Sequence, residues 1–160
     1  MNYRAMISFG DKLVAMNIDN YNRINDNNIK VYLTDDSILY MHPEDIHIYN
    51  ADSEVMKAVE DTLFLIKIED SSDKVDEVTV DKAIIQKDDN LFILDVVSAS
   101  TASLSTVKLN LYDDTKLEVH PKHAKLYSSK SPIMKQIEDE IVVYQHQRIK
   151  TERKVRTKRL

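Results

Sequence analysis

Shifted by 78 residues, the sequence matches itself without a gap, and this tandem duplication restricts the fold more than any other feature. Between residues 29–63 and 107–141, 13 of 35 positions are identical. Ordinary residue usage gives roughly two by chance. The identities include Asp35/Asp113, Asp36/Asp114, His42/His120, Pro43/Pro121, Tyr49/Tyr127, Ser53/Ser131 and Glu60/Glu138. Their clearest expression is the pair of stretches YMHPEDIHIY and EVHPKHAKLY. Two units follow, repeat 1 over residues 1–78 and repeat 2 over residues 79–160, the duplicated part of the second ending near residue 156. Whatever one unit folds into, the other must fold into as well.

Each copy carries the same succession of patterns. Two apolar stretches flank a turn, YRAMISF and KLVAMNI in repeat 1, DKAIIQ and LFILDVV in repeat 2. A polar segment follows (DNYNRINDNN or SASTASLST), expected as a loop. Then Ile29, Val31 and Leu33, matched by Val107, Leu109 and Leu111, alternate with polar residues and so share one face of a strand. Asp-Asp-Ser and Asp-Asp-Thr predict tight turns, because short oxygen-bearing side chains bond the backbone there. A returning strand carries Leu39 and Met41 or Leu117 and Val119. After His-Pro comes a last short strand with Ile46 and Ile48 or Ala124 and Leu126.

A helix closes each copy. Ser53 and Ser131 stand at N-cap positions, and Pro132 suits the first helical turn. Val55, Val59 and Leu63 repeat at helical spacing, as do Ile133, Ile137 and Ile141. The predicted helices run over about 53–69 and, longer, about 131–156, the latter leading into a basic tail. The expected class is therefore mainly β with helices (α+β). Each 78-residue unit is small for an independent core, so the two are expected to share an interface lined by the helices.

Five short strands with a one-turn break before the last form the layout of an SH3-like small barrel. IKVYLTDDSILYMHPEDIHIY and VKLNLYDDTKLEVHPKHAKLY resemble the second half of Tudor- and KOW-type modules. The resemblance covers about twenty residues per copy and implies two tandem SH3-like β-barrel modules, each followed by a C-terminal helix. The turn lacks the glycine that many such modules carry. In layout the chain is also similar to the MotB-type early DNA-binding proteins of T-even phages. Abundant Asn, Asp, Ile and Lys with scarce Gly and Ala fits an AT-rich coding genome such as a phage's.

Several function classes are excluded by composition. With no cysteine there is no thiolate nucleophile and no Cys-based zinc site. One glycine, Gly10, cannot write a phosphate-binding loop or a dinucleotide fingerprint. The apolar runs are too short to span a bilayer, and the N-terminus lacks a signal-peptide layout, so a cytoplasmic location is expected, or the host nucleoid for a phage protein. Of the histidines His42, His47, His120, His123 and His146, His120 and His123 could share a metal, with His42 and Asp45 in their places in the first copy, but two ligands per copy fall short of a metal site. Turn chemistry accounts for the Asp pairs, and no serine, threonine or lysine stands in a recognisable nucleophile pattern. No catalytic residue, metal, cofactor or small-molecule substrate is expected.

Charge is unevenly placed. Arg148, Lys150, Arg153, Lys154, Arg156, Lys158 and Arg159 against Glu152 give the tail +6, and since the whole chain is −5, residues 1–147 carry −11. Lys122 and Lys125 replace Glu44 and His47 of the first copy, so the second His-Pro turn is the basic one. These nine cations are the predicted contacts to nucleic acid, duplex DNA with little sequence preference, made through phosphates. The alternative is a protein-interaction adaptor, a phage inhibitor of a host factor or a virion component, using the acidic surface.

Overall fold

The structure, a computed structural model, describes residues 2–70, 73–75, 80–103, 105–141 and 144–145. In repeat 1 the elements are β1 (Tyr3–Phe9), β2 (Lys12–Asn25), β3 (Asn28–Leu33), β4 (Ile38–Met41), a 3₁₀ turn (Pro43–Asp45), β5 (Ile46–Asn50), α1 (Glu54–Thr62) and β6 (Leu65–Lys67). Repeat 2 follows the same order with β7 (Lys82–Lys87), β8 (Asn90–Ser103), β9 (Thr106–Leu111), β10 (Lys116–Val119), a 3₁₀ turn (Pro121–His123), β11 (Ala124–Tyr127), α2 (Pro132–Glu140) and β12 (Tyr144–Gln145). The chain is mostly β with two short helices, the expected β-rich α+β class.

The turns form where the sequence supplies residues for them. Gly10, Asp36, Asp88 and Asp114 all have positive φ, between 54° and 66°. Glycine enters this region without a steric penalty, and aspartate is among the side chains that tolerate it best. His42 caps the first 3₁₀ turn, its Nδ1 accepting from the Glu44 amide at 3.1 Å. His120 does the same for Lys122 at 3.0 Å. The His-Pro pairs are thus architectural: proline presets the turn and histidine satisfies its first free amide.

Hydrogen bonding orders the strands β4-β3-β2-β1-β5 in repeat 1 and β10-β9-β8-β7-β11 in repeat 2. The two runs join where β11 pairs antiparallel with β4, Leu126 opposite Tyr40 and Tyr127 opposite Leu39. The strand path is open, and its two ends are β10 and β5. After each helix a short parallel strand returns to its own repeat. Ile66 of β6 pairs with Val14, and its counterpart Tyr144 of β12 pairs with Phe92. Both registers agree with the 78-residue shift.

Three expectations are corrected. The polar segments 19–28 and 98–106 are mostly the outer halves of the long strands β2 and β8. These halves pair with β3 and β9 across bulges, which lets strongly polar, solvent-facing residues remain in a ladder. The first helix is shorter than 53–69, ending at Thr62, because Leu63 turns extended (ψ 149°) and Leu65–Lys67 form β6. Likewise α2 ends at Glu140, with Ile141 extended (ψ 124°) and β12 following, so the helix does not run on toward residue 156.

The two helices are used differently. Ile133, Met134 and Ile137 of α2 and Ile141 just after it are at most 3% exposed and belong to the larger core, built mainly on repeat 1 with Phe9, Val14, Leu33, Leu39 and Met41 and joined by Ile84, Ile93 and Tyr127. Repeat 2 has a separate, smaller core built on Ile85, Leu94, Val96, Leu109 and Leu111. The helix that closes repeat 2 therefore seals repeat 1.

Candidate functional site

How α2 is seated defines a binding geometry. Val14, Met16, Leu33, Leu39 and Met41 present an apolar face, and α2 lays its Ile133-Ile137-Ile141 stripe on it. Where the helix begins, Asp35 is completely buried. One of its carboxylate oxygens accepts from the Ser131 hydroxyl at 2.6 Å and from the Ile133 amide at 3.1 Å. The other accepts from the Ser37 amide at 3.0 Å and from the Ser37 hydroxyl. Ser131 in turn caps its own helix, accepting from the Met134 amide at 3.2 Å. A carboxylate at a helix N-terminus is favoured by the unsatisfied amides and by the helix dipole. The apolar face and its acidic stop form a socket for one amphipathic helix.

Each helix is also tied to its own repeat by a polar triad. Arg4 donates to Glu60 at 2.9 Å, and the Tyr49 hydroxyl donates to the same carboxylate at 2.7 Å. In repeat 2 the set is Lys82, Glu138 and Tyr127, with Lys82 donating at 3.2 Å. The Arg4 hydrogen bond holds the Glu60 carboxyl below its usual range, while burial pushes the Tyr49 and Tyr127 phenols up. These triads fix α1 on repeat 1 in the pose that α2 adopts on repeat 2. The α2 stripe lies in one apolar cluster with residues of repeat 1 and with Ile84, Ile93 and Tyr127 of its own repeat, whereas in the first copy Val55 and Leu63 are exposed and Met56 and Val59 half-buried.

Repeat 2 has the same socket without an occupant among the described residues. A cleft of about 680 Å³ is lined by the apolar Ile85, Phe92, Leu94, Leu111, Leu117 and Val119, by Asp113 and Thr115, and by Gln86, Lys87, Glu118, His120 and His123. Shifted back by 78, these apolar residues are Ile7, Val14, Met16, Leu33, Leu39 and Met41, none more than 1% exposed. Asp113 and Thr115 are the counterparts of Asp35 and Ser37, and Asp113 accepts from the Thr115 amide at 3.2 Å as Asp35 does from Ser37. Phe92, Leu117 and Val119 remain half-buried. A larger cleft of about 830 Å³ lies beside β2 and β3, but its lining is largely polar (Asp19, Asn20, Asn22, Asp36) and lacks the helix-seating features.

The predicted phosphate contacts separate into two groups. Lys122 and Lys125 lie at the junction of the repeats. Lys122 pairs with the Glu44 carboxylate at 2.7 Å. Lys125 is buried, its ammonium 3.4 Å from Asp45 and 4.9 Å from the centre of the Phe9 ring. Burial lowers the Lys125 pKa, and Asp45 partly opposes the shift. Both lysines are engaged in joining the repeats. The other seven cations, Arg148 to Arg159, lie outside the described residues, as does His146. His42, His120 and His123 approach one another, with ring centres 6.0 and 6.3 Å apart. Among the described residues no group of three metal-ligating side chains forms, and no helix is long and apolar enough to cross a membrane.

Sequence reasoning read Asp35 as a turn residue and missed its second task at the start of α2. Nothing in the sequence distinguishes Asp35 from Asp113, since the two turns are copies. Compared with protein-family models, curated proteins and solved structures, the chain matches none of them.

Proposed function

We propose that this protein is a non-enzymatic binding protein whose working surface is the helix socket of repeat 2. One observation carries the reading: the residues that seat α2 on repeat 1 recur on repeat 2, where they line a cleft. An apolar groove with an acidic stop recognises an amphipathic helix by its i, i+4, i+8 stripe and by its first-turn amides. We also read each unit as an SH3-like small barrel, which the strand order β4-β3-β2-β1-β5 and its copy support.

A titration tests the socket. A synthetic peptide of residues 131–141, the natural occupant of the first socket, is added to the full chain while methyl resonances are followed. Saturable shifts are expected at Leu94, Leu111, Leu117 and Val119. Binding in the micromolar to millimolar range is expected, because a short peptide must be ordered as it docks. No saturable shift, or shifts scattered over both repeats, removes the reading.

A second reading rests on the +6 charge of residues 148–160. In it the tail holds duplex DNA through phosphates without sequence preference. Seven phosphate contacts give a slope of about −6 in log affinity against log salt. Removing the residues after Gln147 should abolish this binding, and undiminished binding by the truncated chain rejects it.

A further inference from the structure

Among the described residues no helix fills the socket of repeat 2, and the molecule presents one that matches it. Α1 carries the counterpart of the α2 stripe in Val55, Met56, Val59 and Leu63. Val55 is 73% exposed, Leu63 41%, and Phe64 fully exposed. Ser53 caps α1, accepting from the Met56 amide at 3.2 Å, the same contact that Ser131 makes with Met134. A capped helix with a partly exposed apolar stripe and a groove lined by the counterparts of the residues that receive α2 therefore occur in one chain. They belong to opposite ends of the strand path, since α1 follows β5 and the groove lies beside β10.

We propose that the chain assembles head to tail, α1 of one copy docking in the repeat 2 socket of the next. This rests on the socket reading above and names its occupant. The contact repeats the junction already present inside the chain. There β11 pairs with β4; one unit further along, β5 of one copy pairs with β10 of the next. The register carries over directly: Leu126 opposite Tyr40 and Tyr127 opposite Leu39 become Ile48 opposite Glu118 and Tyr49 opposite Leu117. Asp113 takes the place of Asp35, accepting from the Ser53 hydroxyl and the Val55 amide of the incoming helix. Val55, Val59 and Leu63 cover Phe92, Leu117 and Val119.

Charge at the new junction is compatible. Inside the chain Lys122 meets Glu44 and Lys125 meets Asp45. Between copies, the shift places Glu44 beside Lys122 and His47 beside His123. The first remains a pair of opposite sign, and the second is neutral when both imidazoles are unprotonated. Because the two surfaces differ, the contact is heterologous and either closes into a ring or continues as a filament. Each added copy also pairs two open sheet edges, which otherwise present unsatisfied backbone groups.

The decisive experiment is complementation between two full-length variants, followed by sedimentation velocity with light scattering. Val55→Asp places a charge on the stripe at its most exposed position and leaves the socket intact. Leu117→Asp spoils the socket and leaves the stripe intact. Asp113→Ala serves as a second socket variant that removes no core side chain. Wild type is expected to gain mass with concentration, and both aspartate variants to remain monomers. Mixed together, those two should form a complex of two chains and no larger species, because one intact junction survives between them. Asp113→Ala should weaken assembly on the order of ten- to a hundredfold, the loss of hydrogen bonds to a charged acceptor. A wild type monomeric at every concentration, variants that still self-associate, or a mixture that stays monomeric overturns the proposal. A monomeric chain that still takes up the 131–141 peptide in repeat 2 removes the second copy as occupant while leaving the socket. Loss of peptide binding removes the socket itself.

Discussion

Replacing Asp35 by alanine isolates the joint between the two repeats, and Asp113→Ala is its internal control. Both aspartates occupy the same place in the same turn, followed by Asp36 (φ 66°) and Asp114 (φ 64°), so their contributions to turn formation cancel in the comparison. Their surroundings differ. Asp35 is fully buried and accepts from two amides and two hydroxyls, those of Ser37, Ser131 and Ile133. Removing its carboxylate leaves the Ser37 and Ile133 amides buried without this acceptor, at about 1–3 kcal/mol each. The two serine hydroxyls lie 2.9 Å apart and can bond each other, so their share is smaller. The expected loss is about 3–5 kcal/mol, a large part of the roughly 5–15 kcal/mol that holds a typical domain together. Asp113 is half-exposed, so water screens and can replace what it accepts, and each of its bonds, that from the Thr115 amide included, is worth about 1 kcal/mol or less. Urea unfolding of the two variants measures the difference. A gap under about 1 kcal/mol between them would refute the claim that α2 is anchored to repeat 1 through Asp35.

Three further outcomes follow from the same geometry. Arg4→Ala strands the Glu60 carboxylate, whose side chain is only 6% exposed, and should cost about 2–4 kcal/mol by chemical denaturation. With pH the sign is fixed by the direction of each shift. Desolvation chiefly lowers the His42 pKa, against Glu44 and Asp45 which raise it and Lys122 and His120 which lower it further. Its contribution is therefore complete above the free value near 6.5 and is lost as pH falls through the lower folded value. The Glu60 contribution is complete above 4.5 and is lost only at lower pH. Urea midpoints measured against pH should show two stages of acid loss, and His42→Gln should remove the one nearer neutrality. Lys125→Met replaces a buried ammonium by an apolar chain of similar length, so stability at neutral pH should stay within about 1 kcal/mol or rise. A large loss there would mean that the Asp45 pair outweighs the desolvation of the lysine.

The duplication made much of this fold legible. The period-two runs became β3 and β9, the Asp-Asp turns closed the hairpins, and Ser53 and Ser131 capped the helices as expected. Less was legible at the ends of elements. Val55, Val59 and Leu63 keep helical spacing up to the residue where the helix has already ended. In the second copy the β-branched run Ile141-Val142-Val143 before Tyr144 was the available sign that a strand follows α2, since such side chains favour extended backbone. The polar halves of β2 and β8 could not be recognised from hydropathy, because the signal of a strand is one buried face and these halves bury almost nothing.

The candidate site was illegible for a deeper reason. Asp35 and Asp113, or Leu39 and Leu117, are identical in sequence and separated only by what covers them. That difference arises from position along the chain. A helix that leaves apolar side chains such as Val55, Leu63 and Phe64 exposed gains by being received on a neighbouring unit. Repeat 2 has repeat 1 as the neighbour that receives α2, whereas α1 has no neighbour inside the described chain. Among the described residues, two copies joined in this way leave one helix and one socket over, at opposite ends. Adding a third unit would move the unpaired surfaces without removing them, and only closure into a ring or a cap of different sequence can do so. The exposure of Val55, Leu63 and Phe64 and the cleft beside β10 are thus two halves of one unfinished contact. It follows that a charge placed on either half should have the same effect on assembly, while its cost to the folding of the single chain should be small at exposed Val55 and larger at half-buried Leu117.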